Sequence, residues 1–148
     1  SFPTRRSSDL EISLLGQNVN AYRGPGADDE EWDFTMLLYA VAELAGLKRL
    51  RFSTSHPMEM TSELCLAFAE IPQLMPYLHL PVQSGSDHLL KVMHRGHDRE
   101  TYFRIIDELR EHCPDIALSS DFIVGYPDET DEDFQATLDL VQIGRAHV

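Results

Sequence analysis

The feature that most constrains this chain is a short apolar run ending in a cluster of small polar residues and followed at once by a helical pattern. It occurs four times. Leu14-Leu15 runs into Gly16-Gln17-Asn18, Leu50-Arg51-Phe52 into Ser53-Thr54-Ser55-His56, and Tyr77 to Leu80 into Pro81-Val82-Gln83-Ser84-Gly85-Ser86. Ile116-Ala117-Leu118 then runs into Ser119-Ser120-Asp121 and Gly125. No connection between these runs reads as a hairpin, so the spacing predicts parallel strands with helical crossovers. The expected fold class is α/β, with about four β-α units of a partial parallel (β/α) barrel or doubly wound sheet. In such folds ligands bind at the carboxyl ends of the strands, so four polar tips on one rim describe a site.

The first strand is read over 11–15 and its exit through Gly24 as a polar loop, continued by the acidic run Asp28 to Glu31 as a solvated excursion. Asp33 is the expected cap of a helix carrying Leu37, Val41 and Leu44, with Gly46 as its stop. A second strand over 48–53 precedes a helix capped by Thr61 or Ser62 and closed by Pro72. Ser86 should cap the short helix to Met93, and a longer helix from about Asp98 should end at Pro114. The fourth strand is read over 116–124, and Thr130 with Asp133 resembles a capping box for the last helix.

The two ends look foreign to this pattern. Ser1 to Leu10 and Ile143 to Val148 resemble in-frame translations of sequencing adapters, which leaves 11–142 as the native segment. The formal net charge of −13 becomes more negative without them, because they hold three arginines and one aspartate. Such a surface repels nucleic acid, so a polynucleotide partner must be held mainly by something else. There are two cysteines, Cys65 and Cys113, each in a helical pattern and without metal-ligand spacing. They are read as buried apolar residues. No apolar run reaches membrane-spanning length, so no membrane partner and a cytoplasmic location are expected.

Leu14 to Gly24, Arg51 to Pro57, His79 to Ser86 followed by Met93-His94-Arg95, and Ser119 to Glu129 together resemble the tRNA methylthiotransferases of the radical S-adenosylmethionine superfamily. The resemblance runs from about Glu11 to Gln142. It implies the partial barrel of that superfamily and S-adenosyl-L-methionine as cofactor. It also implies 4Fe–4S clusters, one held by Cys-x-x-x-Cys-x-x-Cys, an electron donor to reduce them, and tRNA as partner. The implied reaction places a methylthio group at C2 of N6-isopentenyladenosine next to the anticodon. Relatives acting on another tRNA adenosine or on a ribosomal protein, and a nucleotide-binding barrel module without radical chemistry, are the alternatives. Neither cysteine stands in the cluster motif, so this chain is expected to bind no cluster and to be inactive by itself, supplying one wall of a cofactor site.

The residues at the tips then acquire expected roles. Gln17 should contact the methionyl part of the cofactor, and Asn18 and His56 the incoming nucleoside. Gln83 and Ser84 offer neutral donors and acceptors to ribose or a base edge. Arg95, one of few cations, suits a carboxylate such as that of S-adenosyl-L-methionine. Asp121, in an apolar frame, should accept hydrogen bonds from a ribose hydroxyl or from neighbouring serines and backbone. Ile123 and Gly125 should pack on and approach the adenine. His79, facing away from Leu78 and Leu80, is read as a satisfied histidine lining the interior.

Overall fold

A computed structural model describes residues 10–26 and 30–146. The segments 1–9 and 147–148, and Asp28 and Asp29 of the acidic run, lie outside the described residues. Strand β1 (Glu11–Leu15) pairs in parallel with a strand from the middle of the chain, after two short strands, β2 (Arg23–Pro25) and β3 (Glu31–Asp33), and helix α1 (Phe34–Ala42). That partner, β4 (Arg49–Ser53), precedes α2 (Ser62–Glu70), β5 (Tyr77–His79), α3 (Asp87–Val92), α4 (Arg99–His112), β6 (Ala117–Ser119) and α5 (Asp131–Ala146).

β5 and β6 form a second parallel pair. The two pairs are neighbours: Leu50 bridges Leu74 in parallel just before β5, and the Ser55 amide donates to the His79 carbonyl. The order is therefore β1-β4-β5-β6, all parallel, with β1 and β6 paired on one side only among the described residues. This is the expected open arc of β-α units.

The caps fall where the sequence puts them. Asp33 accepts from the Met36 amide, Thr61 from Leu64, Ser86 from Leu89 and Asp98 from Thr101. Thr130 and Asp133 bond each other's amides reciprocally, the capping box expected before α5. The core lies between the arc and its helices. Leu50, Leu78, Leu80 and Val82 are sealed beneath Leu38, Leu64 and Leu109, each large side chain contributing roughly 1.5–3 kcal/mol by leaving water. Phe52 meets Phe34 edge-on at 5.0 Å and Phe68 at 5.8 Å, fastening α1 and α2 to β4.

Three local expectations need correction. The chain after β1 is not all loop: β2 and β3 form an antiparallel hairpin with Gly24 opposite Trp32. Its strands are three residues long and begin on Arg-Gly-Pro, too short and too rich in poor strand formers to show a period. Helix α1 stops at Ala42, four residues before Gly46, which makes its turn at φ +82°. The fourth strand ends at Ser119; beyond it the chain keeps touch with the sheet through a Gln83–Phe122 bridge. Among the described residues, no helix is long and apolar enough to cross a membrane.

Candidate functional site

Hydrogen bonds stitch the carboxyl ends of all four parallel strands together. The Gly16 amide donates to the Ser53 carbonyl and the Thr54 amide to the Gly16 carbonyl, both at 2.9 Å. Asn20, 3 % exposed, reaches across from the β1 loop: its Nδ2 donates to the His56 carbonyl at 3.0 Å and its Oδ1 accepts from the His56 amide at 2.8 Å. A buried primary amide satisfied on both sides acts as a rigid brace. It fixes where His56 stands.

The next link is His79 on β5. Its Nδ1 meets the Thr54 hydroxyl and its Nε2 lies 3.1 Å from Oδ2 of Asp121. The Gln83 amide donates to the Asp121 carbonyl at 3.0 Å, and the Ile123 amide to the Gln83 carbonyl at 2.8 Å. His79, Asp121, Gln83 and Ile123 are thus tied to one another at the strand ends, and Gln17 and Asn18 follow β1 as exposed residues. The rim is open: Leu15 is 79 % exposed, Val124 and Ile123 are exposed, and no atom lies within 4 Å of where a Gly125 Cβ would stand.

Asp121 differs from its expectation. It is not enclosed in an apolar frame, because the strand has already ended; its side chain is 64 % exposed and is held by His79. His79 is satisfied on both ring nitrogens, as read, but it does so by linking two tips. Ser84 requires a correction. It is fully buried, its hydroxyl is 3.3 Å from that of Thr137 on α5 and accepts from the Ser86 amide, and it has no face toward a ligand. The docking of α5 behind this turn, invisible in the local sequence, turned it inward.

Arg95 sits between two left-handed residues, His94 at φ +56° and Gly96 at φ +78°, in the turn joining α3 to α4. Its Nε is buried with no hydrogen-bond partner among the described residues, and burial holds its guanidinium below the usual arginine range. Beside it is His97, a residue the sequence reading passed over. The residue is 5 % exposed, its Nε2 donates to the Val82 carbonyl at 3.3 Å, and its Nδ1 has no partner among the described residues. The His56 ring lies 6.0 Å from the His97 ring, edge to face. Burial is the main reason both imidazoles are held below the usual histidine range, and the charge of Arg95 adds to it. The signal available in the sequence was the spacing Arg95-Gly96-His97 opposite a second histidine.

Cys65 is buried as read, whereas Cys113 is only half-buried. Cys65 is sealed in the core with its thiol pushed up to about 12 by burial, and burial also raises that of Cys113. No group of three or more His, Cys, Asp or Glu side chains among the described residues is placed to hold a metal ion.

With this geometry in view, comparison with known proteins decides the family. The sequence profile of the radical SAM superfamily matches residues 7–141. The chain belongs to the radical SAM superfamily. It is 60 % identical over 136 residues to a Rickettsia felis protein named tRNA-2-methylthio-N(6)-dimethylallyladenosine synthase, covering 92 % of this chain and 31 % of that protein. Proteins of the same name from Roseobacter denitrificans and Paracoccus denitrificans are 57 % and 56 % identical over 132 residues, covering 89 % of this chain and 30 % of each. The chain thus spans about 31 % of the length of the first of these curated relatives.

Proposed function

We propose that this chain is the strand-tip wall of a tRNA methylthiotransferase acting at C2 of N6-isopentenyladenosine next to the anticodon. The observation that carries the reading is the 60 % identity to a synthase of that name across nearly the whole chain, beside strand ends tied together by hydrogen bonds. The chain's own residues fit S-adenosyl-L-methionine. Asp121, steadied by His79, faces solvent where it can accept from ribose hydroxyls; Gln83 offers its amide beside it; Ile123 and the bare Gly125 leave room for a flat base. Gln17 is assigned to the methionyl end and Arg95 to its carboxylate, while Asn18 and His56 stand toward the incoming nucleoside. Ser84 supports this rim from behind through Thr137.

When bound, the cofactor supplies the radical chemistry of the superfamily. A 4Fe–4S cluster does not fit this chain, whose two cysteines, Cys65 and Cys113, stand far apart and outside any Cys-x-x-x-Cys-x-x-Cys run, so no step is derived through one. The reduced cluster, its electron donor and most of the tRNA contact are assigned to parts of the enzyme that this chain does not supply; the net charge of −13 agrees with that division. The experiment is a chimaera in which residues 11–142 replace the matching segment of the Rickettsia felis protein, with mass spectrometry of tRNA nucleosides. Methylthio-isopentenyladenosine should form. Its absence, with the unmodified isopentenyl nucleoside retained in a folded chimaera, would sink the assignment.

A further inference from the structure

Asp121 stands beyond the last residue of β6 with a mostly exposed side chain, yet it is held at two points. Its carbonyl accepts from the Gln83 amide at 3.0 Å, and its Oδ2 lies 3.1 Å from Nε2 of His79. The other carboxylate oxygen, Oδ1, has no hydrogen-bond partner among the described residues. His79 is fixed in turn. It ends β5, and its Nδ1 meets the Thr54 hydroxyl, which also takes a hydrogen bond from Ser53 at 3.4 Å. A carboxylate only accepts, so Nε2 carries a proton; in the neutral ring Nδ1 then accepts from Thr54. Groups at the ends of β4, β5 and β6 are thus joined in a chain that finishes on one carboxylate oxygen. An exposed aspartate without such an anchor rotates freely, and a ligand must order it, at about threefold to tenfold in affinity. His79 orders it beforehand.

We infer that His79 is a positioning residue that sets the preference of this site for a ribose bearing both hydroxyls over a deoxygenated sugar. Vicinal hydroxyls are two donors at a spacing that one carboxylate accepts together. An Asp121 anchored at Oδ2 keeps Oδ1 and the remaining lone pair of Oδ2 ready for them. His79 itself touches no ligand, because both of its ring nitrogens are engaged inside the fold. The inference rests on the ribose role proposed for Asp121 and adds to it the selection of the sugar; it needs neither a cluster nor methylthio transfer.

The test compares adenosine with 2′,3′-dideoxyadenosine in NMR titrations of the 148-residue chain. Adenosine should bind about tenfold or more tightly. His79→Phe should cut that ratio by about threefold or more while leaving the affinity for the dideoxynucleoside unchanged. His79→Gln, whose amide can still donate to Asp121, should restore part of the ratio. Asp121→Asn should remove most of it, and adding His79→Phe to that variant should change nothing further. Nitrogen spectra of the His79 ring in alkaline buffer should show its proton on Nε2. The inference is overturned if the parent binds neither nucleoside or shows no preference, if His79→Phe in a folded chain weakens both equally, or if its loss and that of Asp121→Asn simply multiply. A proton found on Nδ1 overturns it as well. Where His79→Phe does not fold, Thr54→Val, which frees the ring at Nδ1, should lower the ratio by a smaller factor, and an unchanged ratio counts against the inference. Methylthio transfer by the chimaera without the ribose preference would sink the role of His79 and leave the enzyme assignment standing; the preference without transfer would do the reverse.

Discussion

The two ends of α3 carry similar polar turns with opposite fates. At the amino end, Ser84, Gly85 and Ser86 have their polar groups answered from inside the fold. The Gly85 amide donates to the Thr137 hydroxyl at 3.0 Å, and the Ser86 hydroxyl donates to Asp133, both partners being on α5. At the carboxyl end, Arg95 Nε and His97 Nδ1 are buried without a hydrogen-bond partner among the described residues. The difference teaches that a polar turn is structural where a distant helix closes over it. It is available to a ligand where none does.

The comparison breaks most visibly at Gly85. A Cβ there would come within 2.7 Å of the Thr137 Cα, a backbone clash that only movement of α5 relieves. Gly85→Ala should therefore cost about 2–4 kcal/mol in a urea unfolding curve; a cost below about 1 kcal/mol would mean that α5 is not seated on this turn.

Acid separates the two ends next. Hydrogen bonds from Ser86, then Thr130, hold the Asp133 carboxyl far below its usual range. Its folded value being depressed, the stability it adds is present above the ordinary carboxylate range, near pH 4, and is lost as pH falls further. His97, depressed by burial, adds stability that is present above the ordinary histidine value near pH 6.5 and fades below it. Unfolding midpoints should fall in two stages. Asp133→Asn should flatten the lower stage, and His97→Gln the upper.

Arg95→Met should act in the opposite direction from any change at Gly85. Removing an unanswered cation should raise stability by about 1 kcal/mol once solvent screening is allowed for, measured by the same urea curve without added anions. A loss would show that the guanidinium is already satisfied. The smallest effect belongs to Gln83, whose φ of +76° is costly for any residue but glycine. Gln83→Gly should gain about 0.5 kcal/mol in thermal or urea unfolding while weakening nucleoside binding.

Much of the frame was readable from the chain itself. The four strands, their parallel sense and the caps at Asp33, Thr61, Ser86, Asp98 and Thr130 follow from local chemistry: period, punctuation and side chains that reach their own backbone. What local chemistry does not carry is which helix packs over which turn. Ser84 looked as available as Arg95 because Thr137, which bonds it, stands fifty-three residues away in the chain. The Thr54–His79–Asp121 chain was hidden for the same reason, since it joins residues of three strands. The hairpin of β2 and β3 was hidden by its shortness and by Gly24 and Pro25.

The most direct measurement is of the rim as one site. Amide signals of the chain, followed by NMR during addition of S-adenosyl-L-homocysteine, should move together at Gln83, Asp121, Ile123 and Gly125, with a common affinity. Shifts scattered over both ends of the arc, or none at these four residues at saturating nucleoside, would contradict the convergence of the strand tips on an adenosyl group.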